Sequence, residues 1–236
     1  MFFDIMQLVF VAPALLLAML AQYWLSSAYR SMSQVRARMT GFEAARRILD
    51  HNGLQNVGIE VIGGHLSDHY DPTDKVLRLS QDVYSGASMV SVGVAAHEAG
   101  HAIQDAKRYA PLVIRNLAVP AANFGSSIGT ILLMIGMMMA FSAMSKLGSW
   151  VFLAGIICFG ATVFFQLVNL PVEFDASSRA KTELVNLGIV SGPDLPYVSK
   201  VLNAAALTYV AATLQAVLTL AYYIFRFLQA TSDDRR

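Results

Sequence analysis

Two histidines four residues apart, His97 and His101, bracket a glutamate in the segment His97-Glu98-Ala99-Gly100-His101. Residues four apart share one face of a helix, so both imidazoles point the same way and can grip one metal ion. Glu98 follows the first His and can reach a water bound to that metal. This spacing is the His-Glu-x-x-His arrangement of zinc hydrolases. The chain has 5 His in 236 residues, and a shuffle of its composition yields the pattern on the order of a few times per thousand chains. The alternative is a pair of buried imidazoles bonded to backbone, with Glu98 in a helix-surface ion pair. The apolar run at 88–96 argues against it, because an uncompensated Glu in so apolar a helix is costly.

A catalytic zinc takes three protein ligands and keeps one open position for water. His97 and His101 supply two. Glu98 is the general base: it takes a proton from zinc-bound water, whose pKa falls to about 7, and passes it to the leaving amine. The third ligand comes from Glu173, Asp175, His65, His69 or Asp105. Glu173 is favoured, since it starts a helix where the chain leaves the third apolar run. Asp175 is about 200° further round a helix, so both acids cannot face the metal. Asp105 lies four residues after His101 and is placed to orient an imidazole. A developing oxyanion needs a second donor, and Tyr209 and Arg179 are the candidates; their plainer roles are an interfacial Tyr and a snorkelling Arg.

The elements that must position these residues are mostly apolar. The chain is 56% hydrophobic and 14% charged, against about 45–50% and about 25% in soluble domains. Uncharged runs at 5–29, 116–145, 147–172 and 201–225 are each long enough to cross a bilayer as a helix. The first run reads as a retained anchor rather than a signal peptide, because Met1-Phe-Phe-Asp4 has no basic residue. The lone Cys158 excludes an internal disulfide and a Cys-based metal site. A net charge of +1, with no basic cluster carrying aromatics, argues against nucleic acid as a partner.

Segments 26–115 and 173–200 hold thirteen of the 17 basic residues. With four spans both segments lie on one side, which the positive-inside rule makes cytoplasmic. Two spans separate the histidines from Glu173, so both reach the same membrane face.

Within the polar segment, Thr40-Gly41-Phe42-Glu43 is a capping box opening a helix that Asn52-Gly53 ends. Strands follow at 58–62, 65–70 and 75–80, separated by turns at Gly63-Gly64 and Asp71-Pro72-Thr73-Asp74. The free edge of the 75–80 strand is a place for a substrate chain to add. The histidine helix should run from about Ser85 to Ala110, bounded by Pro111. Pro171 fits the first turn of a helix or a kink in one.

The segments Thr40–Leu49, Leu66–Pro72, Ala96–Gln104 and Pro171–Ser177 resemble the YugP-type neutral zinc metallopeptidases of bacterial membranes, a resemblance that covers nearly the whole chain. A more distant similarity is to the HtpX and CAAX-prenyl-protease clan, where the motif helix is followed by Glu-x-x-x-Asp and the Glu is the third zinc ligand. That similarity implies Glu173 as ligand. Its Asp position, which buttresses a zinc-binding His, falls on Ser177, so Ser177, Asp105 or Asp175 takes that role.

The expectation is therefore an α-helical integral membrane protein of the cell membrane, with four transmembrane helices and a small α+β zincin-like (gluzincin-like) domain. Its parts are an anchor at 1–29, a cytoplasmic domain at 30–115, two spans at 116–172, a cytoplasmic helix with the third ligand at 173–200, and a last span and tail at 201–236. The function expected is zinc-dependent hydrolysis of polypeptides, membrane proteins among them, using one Zn2+. The alternatives are a scaffold or chaperone-like partner retaining a zinc site, and a zinc hydrolase acting on lipid.

Overall fold

The computed structural model describes residues 5–142 and 144–233. Its elements, in chain order, are helix α1 (Ile5–Met32), helix α2 (Gly41–His51), strands β1 (Gly58–Ile62), β2 (His69–Asp71) and β3 (Val76–Ser80), then helices α3 (Gln81–Tyr84), α4 (Met89–Ala106) and α5 (Ala110–Phe124). A π-helical turn, Gly125–Gly129, precedes α6 (Thr130–Ala140). Helix α7 (Ser145–Asn186), a 3-10 turn at Gly192–Asp194 and α8 (Leu195–Asp233) complete the chain.

Four helical stretches are long and apolar enough to cross a membrane: Ile5–Met32, Ala110–Ala140, Ser145–Asn186 and Gly192–Ser232. Three of them contain an uncharged run whole and outrun it; the second starts before the 116–145 run and ends within it, at Ala140. Glu173 does not start a helix; it sits inside α7, which continues through Pro171 for 42 residues. Pro171 removes one N–H from the ladder, and the neighbouring turns carry the helix past it. Helix α4 ends at Ala106 rather than Ala110, and Pro111 lies in the first turn of α5, where its fixed φ and missing N–H cost little.

The chain divides into two compact units, one formed by residues 20–113 and 171–208, the other by Met1–Met19, Ile114–Leu170 and Tyr209–Arg236. The second unit gathers Leu133, Phe152, Tyr222 and Tyr223 into a buried cluster, with Phe152 edge-on to Tyr223 at 6.3 Å between ring centroids.

The first unit is α+β. Its α2 begins at the Thr40 cap, where the Glu43 N–H donates to Thr40 Oγ1 at 3.2 Å and the Thr40 N–H donates to Glu43 Oε2 at 2.7 Å. It ends at Asn52, with Gly53 supplying the left-handed φ of +75° that the exit needs. The sheet order is β1-β3-β2, with β1 and β3 parallel and β2 antiparallel to β3. This corrects the expected free edge: β3 is the central strand, paired on both sides, and β1 and β2 are the edges among the described residues. The three strands carry too little local information to set their order, which depends on the buried pair Leu77 and Leu79. These leucines pack in one core with Ala44, Ile48 and Leu49 of α2, Val92, Ala96 and Ala99 of α4, and Ala180 and Leu184 of α7. Helix α4 runs through that core, its small residues letting its neighbours approach closely.

Candidate metal centre

Helix α4 starts at Ser88, whose Oγ accepts from the Ser91 N–H at 3.1 Å, three residues later than the sequence pattern suggests. One and a half turns before its end it carries His97 and His101 on one face, their rings edge to face with centroids 4.7 Å apart. Glu98 lies between them in sequence and is buried.

Helix α7 delivers the third group. Glu173 Oε2 lies 3.3 Å from His97 Nε2 and 3.7 Å from His101 Nε2. One ligand atom from each of the three residues falls within 4.8 Å of the others. Glu173 Oε2 is buried and, beyond its pairing with these two imidazoles, has no donor. A buried carboxylate oxygen without a donor is costly, and a divalent cation satisfies it while meeting two imidazole nitrogens. The residues present therefore fit a zinc ion: two N donors and one O donor, the ligand number of a catalytic zinc.

The two helices meet this closely because residue 100 is glycine. A Cβ there would stand 2.7 Å from the Ala176 carbonyl oxygen. Gly100 lies one residue before His101, and Ala176 lies between Glu173 and Ser177, so this backbone contact sets the spacing of the ligands.

A layer of polar side chains backs both imidazoles. Ser177 Oγ is 3.1 Å from His97 Nδ1. His101 Nδ1 is 3.0 Å from Gln104 Oε1, and the Gln104 amide donates to the Val172 carbonyl at 2.7 Å and to Asp175 Oδ2 at 2.8 Å. Arg179 in turn donates through Nε to Asp175 Oδ2, with its guanidinium 5.7 Å from the centre of the Tyr109 ring. Burial alone would lower the pKa of His101, but hydrogen bonding to Glu173, the charges of Glu98 and Glu173 and the Gln104 bond outweigh it, and the net shift is upward.

The structure brings together His97, His101 and Glu173, and holds Arg179 and Asp175 outside them. Asp105 does not orient an imidazole: it accepts from Tyr70 Oη at 2.7 Å and pairs with Lys75 Nζ, tying the β2–β3 turn to the end of α4. His65 packs edge-on against Tyr29 and His69 Nδ1 lies 2.8 Å from the Ser67 carbonyl, so neither joins the ligand set. Tyr209 belongs to the other unit, on α8, where its backbone carbonyl accepts from Thr213 Oγ1 at 2.9 Å. Sequence reasoning missed Gln104 as a partner of His101. The available signal was its spacing, three residues after His101 and so on the same helix face.

The family described as "Putative neutral zinc metallopeptidase" matches residues 7–228. The chain is 44% identical over 223 residues to "Putative membrane protease YugP" of Bacillus subtilis (strain 168), covering 94% of this chain and 96% of that protein. No solved structure matches.

Proposed function

Since the chain belongs to the neutral zinc metallopeptidase family, we propose that it is a multi-pass endopeptidase of the cell membrane, hydrolysing peptide bonds at the cytoplasmic face. The observation that carries this reading is the buried Glu173 Oε2 set against two imidazole nitrogens and no other donor, on a helix pair that also carries the buried Glu98.

A zinc ion in this site supplies Lewis acidity, acidifying water toward neutrality and polarising a carbonyl. His97, His101 and Glu173 would hold it. Glu98 removes the proton from the attacking water and returns it to the leaving amine. Arg179, in the same unit as the ligands, is the residue assigned to the developing oxyanion, a role worth about 10²–10³ in turnover. The His-Glu-x-x-His helix and a ligand from a later helix give a zincin-like (gluzincin-like) arrangement, consistent with the distant likeness to the HtpX and CAAX-prenyl-protease clan. Four spanning helices would keep the site near membrane polypeptides, which favours those as substrates.

The test is zinc stoichiometry and casein hydrolysis by the purified full chain. Wild type should hold one zinc and cleave; His97→Ala and Glu173→Ala should lose the metal; Glu98→Gln should keep it and lose cleavage. Zinc retained with no proteolysis by wild type would point to a scaffold instead. Turnover confined to lipid substrates would replace peptide with ester chemistry.

A further inference from the structure

The amide of Gln104 is completely buried, at 0% exposure, and all its partners are fixed. The Val172 carbonyl and the Asp175 carboxylate both lie on its nitrogen side. Both only accept, so the NH2 group must face them and Oε1 must face His101. An oxygen that only accepts requires Nδ1 of His101 to carry the hydrogen. Nε2, the atom turned to Glu173, is then the nitrogen left with a lone pair.

Behind Gln104 the chain of contacts continues. Asp175 could swing away on its own χ1, but Arg179, one turn later on α7, holds both its oxygens, through Nε and, at 3.3 Å, Nη2. The guanidinium is itself steadied against Tyr109. His97 has a simpler support, the Ser177 hydroxyl, which accepts or donates equally well and so does not by itself select a tautomer.

We infer that Gln104 is the positioning residue that selects the metal-binding tautomer of His101, and that Asp175 and Arg179 act through it. The inference rests on the zinc reading above and deepens it. It gives Arg179 a task distinct from meeting an oxyanion: an oxyanion donor alters turnover and leaves metal affinity alone, whereas a residue acting through Gln104 alters metal affinity. Outer partners of metal-bound histidines are typically worth about 10–100-fold in affinity.

The experiment is zinc affinity by chelator competition on the purified full chain, with the cobalt-substituted absorption spectrum as a second readout and the melting temperature of the metal-free protein as a control for folding. Gln104→Met, close in volume, should weaken zinc by about 10–100-fold and shift the cobalt bands. Arg179→Gln should weaken zinc several-fold in wild type and leave it unchanged in the Gln104→Met background, because nothing remains to transmit the change. Equal losses in both backgrounds, or a Gln104→Met protein within twofold of wild type, would overturn the inference. If Gln104→Met does not fold, Asp175→Asn carries the test: a several-fold loss with unchanged metal-free melting supports the inference, and unchanged affinity refutes it. A wild type that binds no zinc refutes the underlying reading instead, so the two failures are distinguishable.

Discussion

Ser177 Oγ sits 3.1 Å from His97 Nδ1, on the same helix and one turn after the carboxylate that faces the other nitrogen of that ring. Helix α7 thus grips His97 from both ends. A hydroxyl is a modest partner, and replacing it should cost little folding stability but loosen the ring. Ser177→Ala should weaken zinc by about tenfold, measured by chelator competition, with the fold intact by circular dichroism.

Glu98→Gln preserves the shape of the buried side chain and removes its basicity. Turnover on a casein-type substrate should fall by at least about 10²–10⁴-fold. Zinc content, read by atomic absorption, should stay at the wild-type value.

The upward shift of His101 makes the metal-free protein sensitive to pH. Its pKa in the fold lies above the ordinary imidazole value of about 6.5, since Glu173 and Glu98 favour the charged ring, so protonation there stabilises the fold fully below about 6.5. That contribution is lost as pH rises through the folded value. The melting temperature of metal-free protein should therefore fall across this window, while the increment gained on adding zinc grows, because fewer protons compete for the site. A melting temperature that rises over the same range in metal-free protein would contradict the arrangement.

Gly100→Ala places a methyl 2.7 Å from the Ala176 carbonyl. Backbone cannot rotate away, so α4 and α7 must separate, at a cost of about 1–3 kcal/mol. Denaturant unfolding should show this loss, and zinc binding should weaken with it.

Thr40→Ala tests the frame alone. It removes the hydroxyl that caps Glu43, and should cost about 1 kcal/mol in urea unfolding while zinc affinity is unchanged.

What the sequence made legible was local. The Thr40–Glu43 box and the Asn52-Gly53 exit are written within a few residues of where they act. The His97–His101 pairing follows from helix geometry alone, and the parity of the apolar runs kept Glu173 among the groups able to reach them, where the structure places it. Strand order was hidden, because β1 pairs with β3 across an intervening strand and only the burial of Leu77 and Leu79 in the shared core decides it. Gln104 was hidden for a related reason. Its role is created by Val172 and Asp175, some seventy residues away, and a glutamine three positions after a histidine has no meaning until that helix arrives.

At Gly100 main chain meets main chain, with no rotamer available to take up slack. The gap between the ligand-bearing helices is therefore a fixed stop, like the jaws of a set caliper. Ions with short bonds to nitrogen and oxygen, about 2.0–2.2 Å for zinc, close against it. Calcium, at about 2.3–2.6 Å and with six or more oxygens to satisfy, is poorly matched to two imidazoles and one carboxylate held at this spacing.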